Sequence, residues 1–107
     1  MTLHQILRQT GFDVSESTFP DNYTPTLPFI LWEDAGSSDF HADNKPYAKI
    51  RTKDVRICND GKRPDSAARV ALESVLEDNG IPYKLISGAY IEKERMYETL
   101  YEITVKP

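Results

Sequence analysis

The chain has 107 residues, 39% of them apolar and 28% charged, a balance ordinary for a folded protein that argues against disorder. Thirteen Lys and Arg against seventeen Asp and Glu leave a formal charge of -4, which repels phosphate backbones overall and disfavours tightly held nucleic acid. A chain of this size buries about two-thirds of its unfolded surface, so one core and one domain over residues 1–107 are expected.

Leu3, Ile6 and Leu7 have helical spacing and Gly11 follows as a stop, which predicts a short amphipathic helix over residues 2–10. Alone it is too short to be stable. Residues 11–28 carry Pro20, Pro25 and Pro28 with Asp21-Asn22, the pattern of a loop holding a brief extended piece around Val14 to Phe19. Loops of that length in small domains are often functional. Phe29-Ile30-Leu31-Trp32-Glu33 is a continuous apolar run of strand length and predicts a central strand covered on both faces. Turn chemistry fills Asp34 to Asp39.

From Phe40 to Cys58 the chain reads as extended, broken near Asn44-Lys45-Pro46. The periodicity slips between Thr52 and Val55, which predicts a bulge there. Asn59-Asp60-Gly61-Lys62 is a turn, and Pro64 opens the strongest helix of the chain, with Ala68, Ala71, Leu72, Val75 and Leu76 as its apolar stripe. Asn79-Gly80 caps it and Pro82 blocks continuation. Leu85 to Ile91 and Met96 to Val105 then flank the charged turn Glu92-Lys93-Glu94-Arg95, a β-hairpin. On its second arm Tyr97, Thr99, Tyr101, Ile103 and Val105 share a core face. Met96, Glu98, Leu100, Glu102 and Thr104 share the other, whose mixture of carboxylates and apolar side chains suits a face that meets a partner.

Cys58 is the single cysteine, so no internal disulfide forms and a reduced setting is expected. The longest apolar run, Phe29 to Trp32, is far short of a bilayer span, and the first residues lack the regions of a signal peptide, so no membrane partner is expected and the protein is expected to stay inside a cell or a particle. Asp39, His41 and Asp43 alternate on one side of an extended segment as a partial metal site would, but no second cluster completes a shell, and capping is expected instead of metal. Cys58 with His4 or His41 is formally a nucleophile and base, yet only Arg56 flanks the thiol, and packing is the expected role. Glu92 and Glu94 with Glu98 sit at a hairpin tip, where carboxylates are usually solvated. No nucleophile, base and orienter set is complete, so no catalytic residue and no cofactor are expected.

Lys45, Lys49, Arg51, Lys53 and Arg56 interleave with Tyr47, as in an RNA-binding strand. An alternative function is therefore a small α+β nucleic-acid-binding or nuclease-like domain using Lys49, Arg51, Lys53 and Arg56. The acidic composition favours instead a positive strand that meets an acidic face of a neighbour. Glu92, Glu94, Glu98 and Glu102 supply such a face, and opposite charges on two elements suit a head-to-tail contact between copies, which closes into rings.

Pro28-Phe29-Ile30, Phe40-His41-Ala42-Asp43-Asn44 followed by Tyr47, Glu73 and Leu76, Tyr90-Ile91-Glu92-Lys93-Glu94, Met96-Tyr97-Glu98 and Tyr101-Glu102-Ile103 follow one another in a telling order. From Leu3 to Val105 that order resembles the tail terminator and head-tail joining proteins, also called tail completion proteins, of tailed phages and prophages of Gram-positive bacteria. The resemblance implies an α+β fold with a mixed or antiparallel sheet, two flanking helices and the C-terminal hairpin. It implies a sixfold homo-oligomeric ring in the virion, at the head-proximal end of the tail, assembled in the host cytoplasm. Such a ring caps the tail tube protein, docks to the head connector or stopper protein, and lets DNA pass through its lumen without specific binding. The residues expected at subunit or partner interfaces are Phe40, His41, Asp43, Asn44, Tyr47, Lys49 and Lys53, with Glu92, Glu94, Met96, Glu98 and Leu100 of the hairpin. The chain departs from the family pattern in its Pro-rich segment, Phe19 to Pro28, and in the crowding of charges from Lys45 to Lys53.

Overall fold

A computed structural model of the chain describes residues 1–34 and 51–105. In chain order they form α1 (Leu3–Arg8), β1 (Asp13–Glu16), β2 (Phe29–Asp34), β3 (Arg51–Asn59), α2 (Ser66–Asp78), β4 (Tyr83–Ile91) and β5 (Met96–Val105). The strands make one mixed sheet in the order β1-β2-β3-β5-β4, in which only the β1–β2 pairing is parallel. The class is α+β, as the sequence leads one to expect.

Thr2 starts α1 with a reciprocal capping box: its hydroxyl accepts from the Gln5 amide and the Gln5 side chain accepts from the Thr2 amide. The helix stops short of residue 10 because the Thr10 hydroxyl donates to the Leu7 carbonyl and Gly11 takes a φ of 86°. Asp65 rather than Pro64 caps α2, accepting from the Ala68 amide. Asn79 then closes it and Gly80 turns away at a φ of 68°. Asn59 fastens the turn before α2, donating to the carbonyls of Asp60 and Arg63 and accepting from the Asp65 amide.

Both helices lie on one face of the sheet. Leu7, Ala68, Leu72 and Leu76 pack there against Val14, Ile30, Val55, Ile57, Tyr101 and Ile103. Each fully buried aliphatic side chain contributes about 1.5–3 kcal/mol. The alternation on β5 is as expected, with Thr99, Tyr101 and Ile103 buried on the core face.

Two expectations are corrected. β2 is an inner strand, paired on both sides as expected, but only Phe29 and Ile30 are buried on it, so its apolar run is not covered along both faces. Leu31 continues the run on the helix-free side, while Phe19 packs edge-on against Phe29 at 5.2 Å and stacks with Tyr23 at 5.6 Å, folding the Pro-rich segment over that end. Nor does β3 bulge between Thr52 and Val55, for its register with both neighbours is unbroken from Lys53 to Cys58. The apparent slip arises because Lys53 occupies a helix-side position at the fringe, with its amine 5.6 Å above the Trp32 ring and paired to Asp34. The bulge is on β4 instead, between Leu85 and Ser87.

Candidate functional site

Strand register determines what stands on the helix-free face. Phe29 pairs with Cys58 and that with Glu98; Leu31 with Arg56 and Leu100; Glu33 with Asp54 and Glu102. Directly opposed residues share a face, so the face opposite the helices carries Leu31, Met96 and Leu100 among Glu33, Asp54, Arg56, Glu98 and Glu102. At its centre the Arg56 guanidinium donates to Glu33 at 2.5 Å and lies 3.4 Å from Glu98. Burial works against that charge, but Glu33, Glu98 and Asp54 outweigh it and raise the Arg56 pKa, which fixes the cation in place. The result is an acidic, partly apolar sheet surface with its one arginine neutralised from two sides.

This arrangement redirects the charge pairing expected between copies. Arg56 meets Glu98 inside one chain because β3 and β5 are neighbours, and Lys53 meets Asp34 on β2 for the same reason. Met96, Glu98 and Leu100 are half-buried on the helix-free face, and Glu92 and Glu94 are exposed at the turn. Phe40, His41, Asp43, Asn44, Tyr47 and Lys49 lie outside the described residues, as do Asp39 and Lys45.

The thiol of Cys58 sits on the helix-free face beneath this surface, whereas His4 accepts from the Trp32 indole at 3.2 Å on the helix side. The sheet separates them, so they form no nucleophile and base pair. Burial, with Glu98 and Glu94 nearby, pushes the Cys58 thiol up to about 12, and Arg56 opposes this only weakly. Iodoacetamide at pH 8 should therefore leave Cys58 unmodified in the folded protein and alkylate it readily in urea. Equal labelling rates in the two conditions would show an activated, accessible thiol.

A polar cluster missed by sequence reasoning joins α2 to the hairpin. The Tyr101 hydroxyl donates to Glu73 at 2.5 Å and accepts from Arg69 Nε at 3.0 Å. Tyr83 donates to Glu77 at 2.5 Å and packs against the Tyr101 ring at 6.0 Å. Desolvation and the Glu73 carboxylate push the Tyr101 phenol up to about 12, so the hydroxyl stays protonated and keeps donating. The signal available was Glu73 on the flank of the α2 stripe, one turn after Arg69.

Next to this cluster, between the start of α2 and edge strand β4, lies a cleft of about 200 Å³ lined by Pro64, Arg69, Leu85, Ile86, Ser87, Gly88, Tyr97 and Thr99. Thr99 is one of the lining residues, and its hydroxyl is fully buried and without a hydrogen-bond partner. A Cβ at Gly88 would stand too close to the Tyr97 hydroxyl, so a larger residue there would push the Tyr97 ring aside. Among the described residues no helix is long and apolar enough to cross a membrane. Comparison with protein-family models gives no match, and comparison with curated proteins gives none either.

Proposed function

We propose that the chain is a structural protein of a phage virion, a tail terminator or head-tail joining subunit that acts in a homo-oligomeric ring without enzymatic chemistry or cofactor. The observation that carries this reading is the helix-free sheet face, where Leu31, Met96 and Leu100 stand among charges on the side opposite the only helical layer of the described residues. A two-layer domain leaves that face for a neighbour. The order of motifs from Leu3 to Val105 points to the same role, and the net charge of -4 suits a lumen through which DNA slides without counterion-driven binding.

In the ring the helix-free face meets the tail tube or the head connector, with Glu92, Glu94, Met96, Glu98 and Leu100 on one margin. The nucleic-acid alternative is less well supported, because Lys53 and Arg56 spend their charge on Asp34, Glu33 and Glu98 within the chain. Electron microscopy of the purified protein mixed with its tail tube protein tests the proposal. Rings seated on tube ends are expected, and the absence of any ring or tube-end density would reject it. A salt-dependent gel shift with RNA or DNA would favour the alternative.

A further inference from the structure

The two edges of the sheet differ in a way that suggests how one subunit meets the next. β4 is the last strand at one side, and from Leu85 to Tyr90 it carries no charge, with Leu85 and Ile86 each 45% exposed. Natural edges are usually blunted by charges, and among the described residues this run is interrupted only by its bulge. At the other side β1 is short and acidic, ending in exposed Glu16. The register alternates so that β1 and β4 run in opposite directions. A second copy set edge to edge would therefore pair its β1 antiparallel with β4 and keep both helical layers on one side.

In that continuation Glu16, which shares a face with buried Val14, falls on the helix side, where the cleft beside β4 lies. The cleft suits a carboxylate. Arg69 commits Nε to Tyr101 and Nη2 to Glu73, which leaves others of its five N–H donors available. Thr99, whose buried hydroxyl has no partner, and Tyr97 line the same cleft. On the basis of the ring reading above, we propose that subunits join head to tail by adding β1 of one copy to the β4 edge of the next, with Glu16 docking at Arg69 in the Thr99 cleft. Such a contact is heterologous, the type that builds a ring when the rotation between copies closes.

Two variants test it by sedimentation of the full chain. Ile86→Lys places a charge on the β4 edge and leaves β1 intact; Glu16→Lys does the reverse. Each alone is expected to stay monomeric with a nearly unchanged melting temperature, since both positions are exposed. Mixed in equal amounts they are expected to form dimers and nothing larger, because one good edge of each kind remains. Glu16→Gln should weaken assembly at least tenfold and flatten its dependence on salt. Ala89→Lys, another exposed β4 position, repeats the edge test in case Ile86→Lys fails to fold. Rings formed by either Lys variant as by the wild type would overturn the edge contact while leaving the ring reading intact, and a mixture that stays monomeric would overturn it too. A wild-type chain that never assembles, alone or with tail tube protein, would overturn both.

Discussion

Replacing Leu72 with Ala should destabilise the protein by about 3 kcal/mol, within the roughly 2–5 kcal/mol typical of such truncations in a packed core. Leu72 is fully buried in the middle of α2, between Ala68 and Leu76, and belongs to the cluster that joins the helix to Ile57 and Tyr101. Truncation removes its transfer free energy and leaves a cavity that the sheet beneath closes only in part. A small domain has a total stability of about 5–15 kcal/mol, so the loss is a large fraction of it. The melting temperature should fall by about 15 °C. Val70→Ala is the internal control, because Val70 is 64% exposed on the far side of the same helix and its truncation should cost under about 0.5 kcal/mol. Urea unfolding of the two variants checks both values. A loss below about 1 kcal/mol for Leu72→Ala would mean that α2 does not pack on the sheet as described.

The elements with strong local signals were legible in the sequence. The α2 stripe, the Asn79-Gly80 stop and the β4–β5 turn each rest on chemistry within a few residues, and the structure places them within two residues of expectation. The alternation on β5 was equally clear, because one arm of a hairpin with a helix on one side repeats every second residue. What local pattern could not give was the order β1-β2-β3-β5-β4, since that depends on pairings between distant segments. The consequences followed from it: Leu31 was read as covered, Lys53 as a break in register, and Arg56 as a charge looking for another subunit. Each is explained once β2, β3 and β5 are seen as neighbours. The Arg69–Glu73–Tyr101 cluster and the orphaned Thr99 hydroxyl were illegible for the same reason, being contacts between α2 and a strand some thirty residues away.

Leu100→Asp is expected to abolish assembly while leaving the dilute subunit folded. Leu100 stands half-buried on the helix-free face, opposite Arg56 on β3 and Ser87 on β4. In the isolated subunit the new carboxylate reaches water and faces the Arg56 guanidinium, which already lies 3.4 Å from Glu98. The cost there is the poorer strand propensity and the lost apolar contact, together about 1 kcal/mol or less. Within a contact against a second subunit or the tail tube, the same carboxylate would be desolvated beside Glu98 and Glu102 with its nearest cation already engaged. An uncompensated buried charge costs about 3–5 kcal/mol, enough to weaken a contact by two to four orders of magnitude. Repeated around a ring, that penalty keeps it from seating on the tail. The measurable outcome is a melting temperature within about 8 °C of the wild type and unterminated or headless tails when the variant replaces the wild type in a phage. A large loss of stability in the dilute protein would place Leu100 in the core of its own subunit. Normal particles would take the helix-free face out of assembly and leave the seating of the ring to another surface.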